Sequence, residues 1–410
     1  MFWTSRLVVL LSGMFAVLQF GLSPGWKGFD PFGLTTPSGY FGNLVVAPFA
    51  RWDSVWYLEI ARFGYRHQFG RTAFFPLYPG LIHVVGTVIG SDLVAGVLIS
   101  LLCFAVALFL LYQLVVLDAS REVAETTLLL VAFSPMAFYF SAVYTESLFL
   151  MLSVGCILQA RRGRWWAAGV LGGFAAASRN GGVLLLVPVA ILFLYGPRAD
   201  VTARATSWAA LEGSRLRALV PRYRLTADVL WLALIPAGIA AYLIYTAITA
   251  GNALDPFHAE KLWFHHTTTP FTGAWDGAVA AWDGLRQLLH GPAPPIYFKL
   301  SGGNPLVQGA QNLMLFSFLV AGAIACVGVF RSLPFAYGAY ALLGLALPLS
   351  DPVVPQPLSS FPRYEVVLFP LFIWWAGLLV RRRMITAGVA ATAVLLGVFA
   401  AEFATWRWVG

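Results

Sequence analysis

Apolar runs near the length of a membrane crossing recur along this chain from Leu7 to Phe403. Crossing a bilayer takes about 20 helical residues, and in hydrocarbon only helices and closed barrels satisfy their own backbone groups. The runs are continuous rather than alternating, so the expected fold is an all-α polytopic membrane protein. Charged residues make up 11% of the sequence, against roughly 25% in an average soluble domain. With no large hydrophilic block, residues 1–410 read as a single integral domain.

Eleven segments are candidate transmembrane helices: 7–22, 93–117, 123–140, 146–160, 165–178, 182–196, 227–249, 306–330, 333–350, 364–380 and 384–402. The first follows Arg6 and lacks a small-residue cleavage pattern before Pro24, so it is expected to be a retained span. A twelfth run, Phe74 to Gly90, is rich in aromatics and proline and suits a helix lying in the interface. The positive-inside rule separates the two counts. With eleven spans, Arg6, Arg121, Arg161, Arg162, Arg164, the arginines from Arg198 to Arg224, Arg331 and Arg381 to Arg383 share one side. That side is then cytoplasmic and contains the basic loop 197–225. The extracytoplasmic loops are 23–92, with interfacial helices, and 250–305.

The net charge of +8 therefore points to topology and anionic membrane lipids, and no nucleic-acid partner is expected. Cys103, Cys156 and Cys326 lie far apart inside apolar runs, as small core residues do.

Ionisable residues that face away from the basic side are costly at membrane depth and point to function. The densest group is Arg51-Trp52-Asp53-Ser54-Val55-Trp56-Tyr57, continuing through Glu59 and Arg62. At helical spacing Trp52, Trp56, Ile60 and Phe63 form an apolar stripe, while Asp53 and Tyr57 share another face. One reading is a Trp-anchored amphipathic helix with a solvated Arg51–Asp53 pair. The other is a general base, because a carboxylate desolvated by an apolar surface suits proton removal from a hydroxyl. Nearby arginines are better suited to hold a phosphate, which a guanidinium grips in a bidentate manner.

Three further places carry similar residues. Phe74-Phe75-Pro76-Leu77-Tyr78-Pro79 follows Arg66, His67 and Arg71 and either anchors the interface or walls a lipid groove. Tyr144-Thr145-Glu146 joins two spans, and Glu146 either stabilises a helix N-terminus or belongs to the site. Ser178-Arg179-Asn180-Gly181-Gly182 and Phe361-Pro362-Arg363-Tyr364 each set an arginine at an outer span end. There it either snorkels to headgroups or binds an anionic lipid. Asp53, Glu59 and Glu146 all remain candidates for the base.

Arg-Trp-Asp-Ser-x-Trp-Tyr at 51–57, Phe-Phe-Pro-Leu-Tyr-Pro at 74–79, Phe-Ser-x-x-Tyr-Thr-Glu-Ser-Leu-Phe at 140–149, Ser-Arg-Asn-Gly-Gly at 178–182 and Pro-Arg-Tyr at 362–364 together resemble the PIG-V family of mannosyltransferases, of the GT-C class of multispanning glycosyltransferases. The stretch 197–305 contributes nothing to this likeness. The resemblance implies an inverting transfer of mannose from a polyprenyl-phosphate mannose donor to a hydroxyl of a glycolipid or other glycan acceptor, on the extracytoplasmic face. It puts Asp53 in the place of the base, with Glu146 as the second catalytic candidate. Arg179 and Arg363 would stabilise the leaving phosphate, joined by Arg51, Arg66 and Tyr364. Trp52, Trp56, Tyr57, Phe75, Tyr78 and Tyr144 are the expected substrate groove.

No Gly-rich nucleotide loop is present, which agrees with a lipid phosphate leaving group. No structural metal is expected, a divalent cation at Asp53 is left open, and His265-His266 reads as a solvated pair. The Arg-heavy, Lys-poor composition suggests a GC-rich bacterial genome and a plasma-membrane location. Competing readings are a secondary transporter or lipid flippase, a noncatalytic subunit with a GT-C fold, and a GT-C enzyme for another lipid-linked sugar.

Overall fold

The computed structural model describes residues 1–65, 68–200 and 221–409. In chain order its helices are α1 Phe2–Phe20, α2 Gly39–Val46, α3 Ser54–Phe63, α4 Leu77–Ile89, α5 Asp92–Val115, α6 Arg121–Phe133, α7 Glu146–Arg161, α8 Trp165–Ser178 and α9 Leu186–Tyr195. Then follow α10 Leu234–Ala250, α11 Asp255–Ala259, α12 Pro270–His290, α13 Pro305–Ser332, α14 Phe335–Leu349, α15 Phe361–Glu365, α16 Phe369–Arg382 and α17 Ile385–Ala404. Each expected span overlaps a helix from this set, although the one expected at 123–140 ends as an α-helix at Phe133, and no β-strand occurs among the described residues. Among the described residues five helices are long and apolar enough to cross a membrane: Phe2–Phe20, Asp92–Val115, Ala227–Ala250, Pro305–Ser332 and Ile385–Ala404.

Local chemistry starts the long elements where expected. Ser91 and Ser120 accept hydrogen bonds from Val94 N and Val123 N at the heads of α5 and α6. Asn304 does the same for α13, with Pro305 in its first turn. Each such cap satisfies a backbone donor that the helix itself leaves free.

The other helices of the eleven are shorter, and α7, with 16 residues, is buried along almost its whole length. Their shortness leaves room for the segment 134–145 to fold inward between α6 and α7, where Ser141 to Tyr144 have at most marginal exposure. Non-helical backbone survives at such depth only when protein surrounds it. α8 and α10 touch through glycine: a Cβ on Gly238 would lie 1.9 Å from the Gly173 carbonyl oxygen. Small residues permit this close helix packing without a hydrophobic driving force from lipid.

Charges gather at two opposite ends of the helices. At one end Arg161, the last residue of α7, pairs with Asp118 just after α5, and both bond the Tyr337 hydroxyl at the start of α14. Arg162 reaches Gln113 at 2.6 Å. The first residue of α7, Glu146, lies at the other end with Asp53, Arg179 and Arg363. α12 also lies there, its small-residue face against Leu349, Leu358 and Gly309, while Phe271, Trp275 and Trp282 are exposed. The run 74–90 forms α4, of 13 residues, which at ~1.5 Å per residue falls short of a ~30 Å hydrocarbon core.

Arg6 departs from the charge-rule expectation. It is buried, and it donates to Ala132 O at 3.0 Å, Ala137 O at 2.8 Å and Ser141 Oγ at 2.8 Å. It thus joins the end of α6 opposite Arg121 and packs over the Phe104 ring. These acceptors lie at the end of α6 and in the inward segment that follows it, and a guanidinium supplies several donors at once. The three cysteines are free and buried.

Arg6→Met should leave these buried acceptors unsatisfied, at roughly 1–3 kcal/mol each. Thermal unfolding in lipid nanodiscs should fall by several degrees, while Arg121→Met, at an exposed position, leaves the midpoint unchanged.

Candidate active site

The motif at 51–57 begins with an unusual backbone. Trp52 has φ 54°, a left-handed conformation that costs a bulky residue about 1–2 kcal/mol. It throws the indole against Phe29, Trp406 and Trp408 and turns Asp53, at the head of α3, to the opposite side. The Tyr144 hydroxyl accepts from Asp53 N at 3.1 Å and donates to Arg51 O at 3.2 Å. The 140–149 motif therefore fixes the backbone of the 51–57 motif.

Asp53 lines a cavity of about 240 Å³ that is partly open to solvent. Arg363 donates from one end of its guanidinium to Asp53 Oδ2 and from Nε to Glu146 Oε1. Arg179 reaches the same Glu146 oxygen at 3.3 Å, and its guanidinium lies over Tyr364 at 4.0 Å. Arg363 in turn sits over Tyr144 at 4.6 Å. Burial opposes the charge of Arg363, but Glu146 and Asp53 hold its proton and raise its pKa well above the ordinary value.

Arg179 reaches the cavity because the chain doubles back tightly after α8. A Cβ at Gly182 would meet the Ala175 carbonyl at 2.3 Å, so only glycine permits the approach.

The cavity sorts the expected residues. Asp53, Tyr57, Phe75, Arg179, Arg363 and Tyr364 line it. Burial pushes the Tyr57 hydroxyl up to about 12, so it faces the cavity as a neutral group. Glu146 is fully buried behind the arginines, with Oε2 unpartnered. Glu59 is held by Arg71 at 3.0 Å, both buried. Of the three candidate bases, only Asp53 is on the cavity wall.

Other expectations are corrected. Arg51 does not reach the cavity: it is 1% exposed, donates to Ala404 O at 2.8 Å and Ala50 O at 2.9 Å, and packs on Trp406. It binds the end of α17 to the first loop. Tyr78 is a core residue whose hydroxyl bonds Gly96 O and Ser100 Oγ. Trp56 stacks on Phe74 behind the lining, and Tyr144 acts on the backbone of Asp53 instead of walling a groove. Arg66 lies outside the described residues.

Further lining comes from segments that carried no motif: Glu260, Trp263, His265 and Asp351. Backbone bonds zip 264–268 to 350–354, with Thr268 N to Ser350 O at 2.8 Å and Val354 N to Phe264 O at 3.0 Å. His265 is therefore not solvated freely. Its Nδ1 is 2.7 Å from Asp351 O and 3.3 Å from Asp351 Oδ2. Burial opposes the imidazolium, but the bonds to Asp351 raise its pKa. Asp351 is lowered: burial opposes its charge, and His265 and Glu260 outweigh burial. Burial, then the bond with Asp351, pushes Glu260 up to about 8. Among the described residues, no group of three or more His, Cys, Asp and Glu could hold a metal ion.

These features define a polytopic helical membrane protein with a polar cavity at one end of its bundle, bounded by paired arginines and carboxylates. Residues 6–195 match the sequence model of the family described as Mannosyltransferase (PIG-V). The mouse protein named GPI alpha-1,6-mannosyltransferase 2 is 34% identical over 168 residues, covering 37% of this chain and 33% of the relative. The human protein of the same name is 31% identical over 166 residues, covering 36% and 33%. The matches thus span about a third of these relatives. The oligosaccharyltransferase of Archaeoglobus fulgidus, tethered with an acceptor peptide, aligns with all of this chain and 56% of its own, at 13% identity and a TM-score of 0.45. The same protein in complex with an inhibitory peptide and a dolichol-phosphate gives 15% identity and a TM-score of 0.41, covering 100% and 56%.

The raised Glu260 makes a signed prediction. Below pH 4.5 the carboxyl is protonated folded and unfolded. Between pH 4.5 and about 8 the unfolded chain loses a proton that the folded protein retains, so stability falls. Glu260→Gln should leave the melting temperature unchanged at pH 4 and raise it increasingly up to about pH 8, as read by thermal unfolding across pH.

Proposed function

We propose that this protein is a GT-C-type inverting glycosyltransferase that moves mannose from polyprenyl-phosphate mannose to a hydroxyl of a glycolipid or glycan acceptor. The observation that carries this reading is the convergence of Asp53, Arg179 and Arg363, from three distant motifs, on one cavity wall. The α-1,6 linkage and GPI acceptor in the relatives' name are not carried over; the arginine-heavy composition favours a bacterial plasma membrane and another acceptor.

In this mechanism the donor phosphate docks against Arg179 and Arg363, which already stand at the cavity with guanidinium donors. Each is neutralised at rest by a carboxylate. An arriving phosphate competes for Arg363 and leaves Asp53 free to take the acceptor's proton. The acceptor oxygen then forms its bond to the mannosyl C1 as the C1–O bond to phosphate breaks. The arginines stabilise the negative charge that grows on the departing lipid phosphate. Glu146, buried behind them, holds both guanidiniums in place and touches no substrate; Tyr144 sets the Asp53 backbone. Because guanidiniums already match both carboxylates, this pole suits an anion better than a divalent cation.

The topology of the proposal places the cavity on the extracytoplasmic side, with the N-terminus in the cytoplasm and the Arg161–Arg164 end facing in. The chain acts as one integral unit, with 23–92 and 250–305 as outer loops and 197–225 as the inner basic loop.

The test is transfer of radiolabelled mannose from polyprenyl-phosphate mannose to a membrane-glycolipid extract by protein in lipid nanodiscs. Asp53→Asn should lower kcat by at least about 100-fold, in the range of a lost general base, with the melting curve intact. Wild-type rates in that variant would remove Asp53 as base. Absence of transfer by the wild type would refute the donor.

A further inference from the structure

The transfer mechanism leaves part of the cavity lining unexplained. The backbone ladder between 264–268 and 350–354 holds Asp351, whose carboxylate pairs with His265 at 3.3 Å, and Glu260 lines the same part of the cavity. Two carboxyls, half-buried in a cavity lining, retain acceptor positions for further donors.

Beside them, Trp263 meets Trp56 edge-on at 5.5 Å and 76°, and Phe74 at 5.8 Å and 79°. The two rings brace the indole while it lines the cavity. An aromatic face beside carboxyl oxygens matches a pyranose, which has an apolar C–H face and a rim of hydroxyls. It does not match a phosphate, which the Asp351 carboxylate would repel.

We propose that Glu260, Asp351 and Trp263 form a sugar-ring subsite in the same cavity as the arginines, with the carboxyls binding ring hydroxyls and the indole packing on the ring. This deepens the mannosyl-transfer reading and rests on it for the sugar's identity. The ring belongs to the donor's mannose or to the acceptor glycan; the chemistry of recognition is the same.

The experiment is equilibrium binding to the full chain in lipid nanodiscs with three probes: a short-chain prenyl phosphoryl mannose, the same prenyl phosphate without sugar, and an alkyl α-mannoside. Glu260→Ala should weaken one mannosyl probe about tenfold or more and leave the sugar-free prenyl phosphate unchanged, which also shows that the arginine pole is folded. Loss confined to the prenyl phosphoryl mannose assigns the ring to the donor, and loss confined to the mannoside assigns it to the acceptor. Glu260→Gln, which keeps a carbonyl acceptor, should restore much of the affinity, and Trp263→Phe should weaken the same probe less than Glu260→Ala.

Unchanged affinity for both mannosyl probes in Glu260→Ala and Trp263→Phe would overturn the subsite. So would equal loss of the sugar-free probe, or a wild type that binds neither mannosyl probe. Glu260-dependent sugar binding without mannose transfer would refute the transferase reading and leave the subsite standing; transfer with unaltered sugar binding in the variants would do the reverse.

Discussion

Arg363 joins two carboxylates from different parts of the chain, and the site end of the bundle depends on that bridge. An isolated charge in this setting is expensive, so each member of the cluster needs the others: Glu146 is fully buried, and Arg179 and Arg363 both turn to it. Such a network contributes little net stability, because desolvation offsets most of the attraction, but losing one member strands the rest. Its consequence is geometric: it sets the first loop, the head of α7, the turn after α8 and α15 in one arrangement.

The neighbouring backbone is organised for the same end. The short helices let the segment 134–145 descend into the protein, and Arg6 from α1 bonds carbonyls there and at the end of α6. Tyr144 links that segment to Asp53, and Arg51 fastens the first loop to the end of α17. Arginine thus does two different jobs here. Arg6 and Arg51 serve as multiple donors to backbone carbonyls inside the fold, whereas Arg179 and Arg363 face a cavity with charge available to a ligand.

Much of the helical plan was legible from apolar run length, because a chain that lives in lipid must write its spans as continuous hydrophobic segments. Asp53, Arg179 and Arg363 were legible as charges that break that pattern. Arg51 and Tyr78 had the same residue types beside the same motifs, yet their side chains turn into the core; residue type and proximity to a motif do not say which way a side chain points. Glu260, His265 and Asp351 were missed for the opposite reason. They stand in polar loops, where a carboxylate or an imidazole carries no penalty and therefore no signal.

The sequence alone determined that the chain is an all-helical membrane protein, roughly where its helices run, and which family its motifs resemble. These follow from local quantities: hydrophobic length, caps and short motifs. Only the tertiary structure decided which of Asp53, Glu59 and Glu146 meets the cavity, and that Arg6 belongs to the core. It alone brought 260–265 and 351 together in the cavity lining. Those outcomes depend on which partner each buried charge finds across hundreds of residues, and a pairing at that separation is a property of the packed bundle.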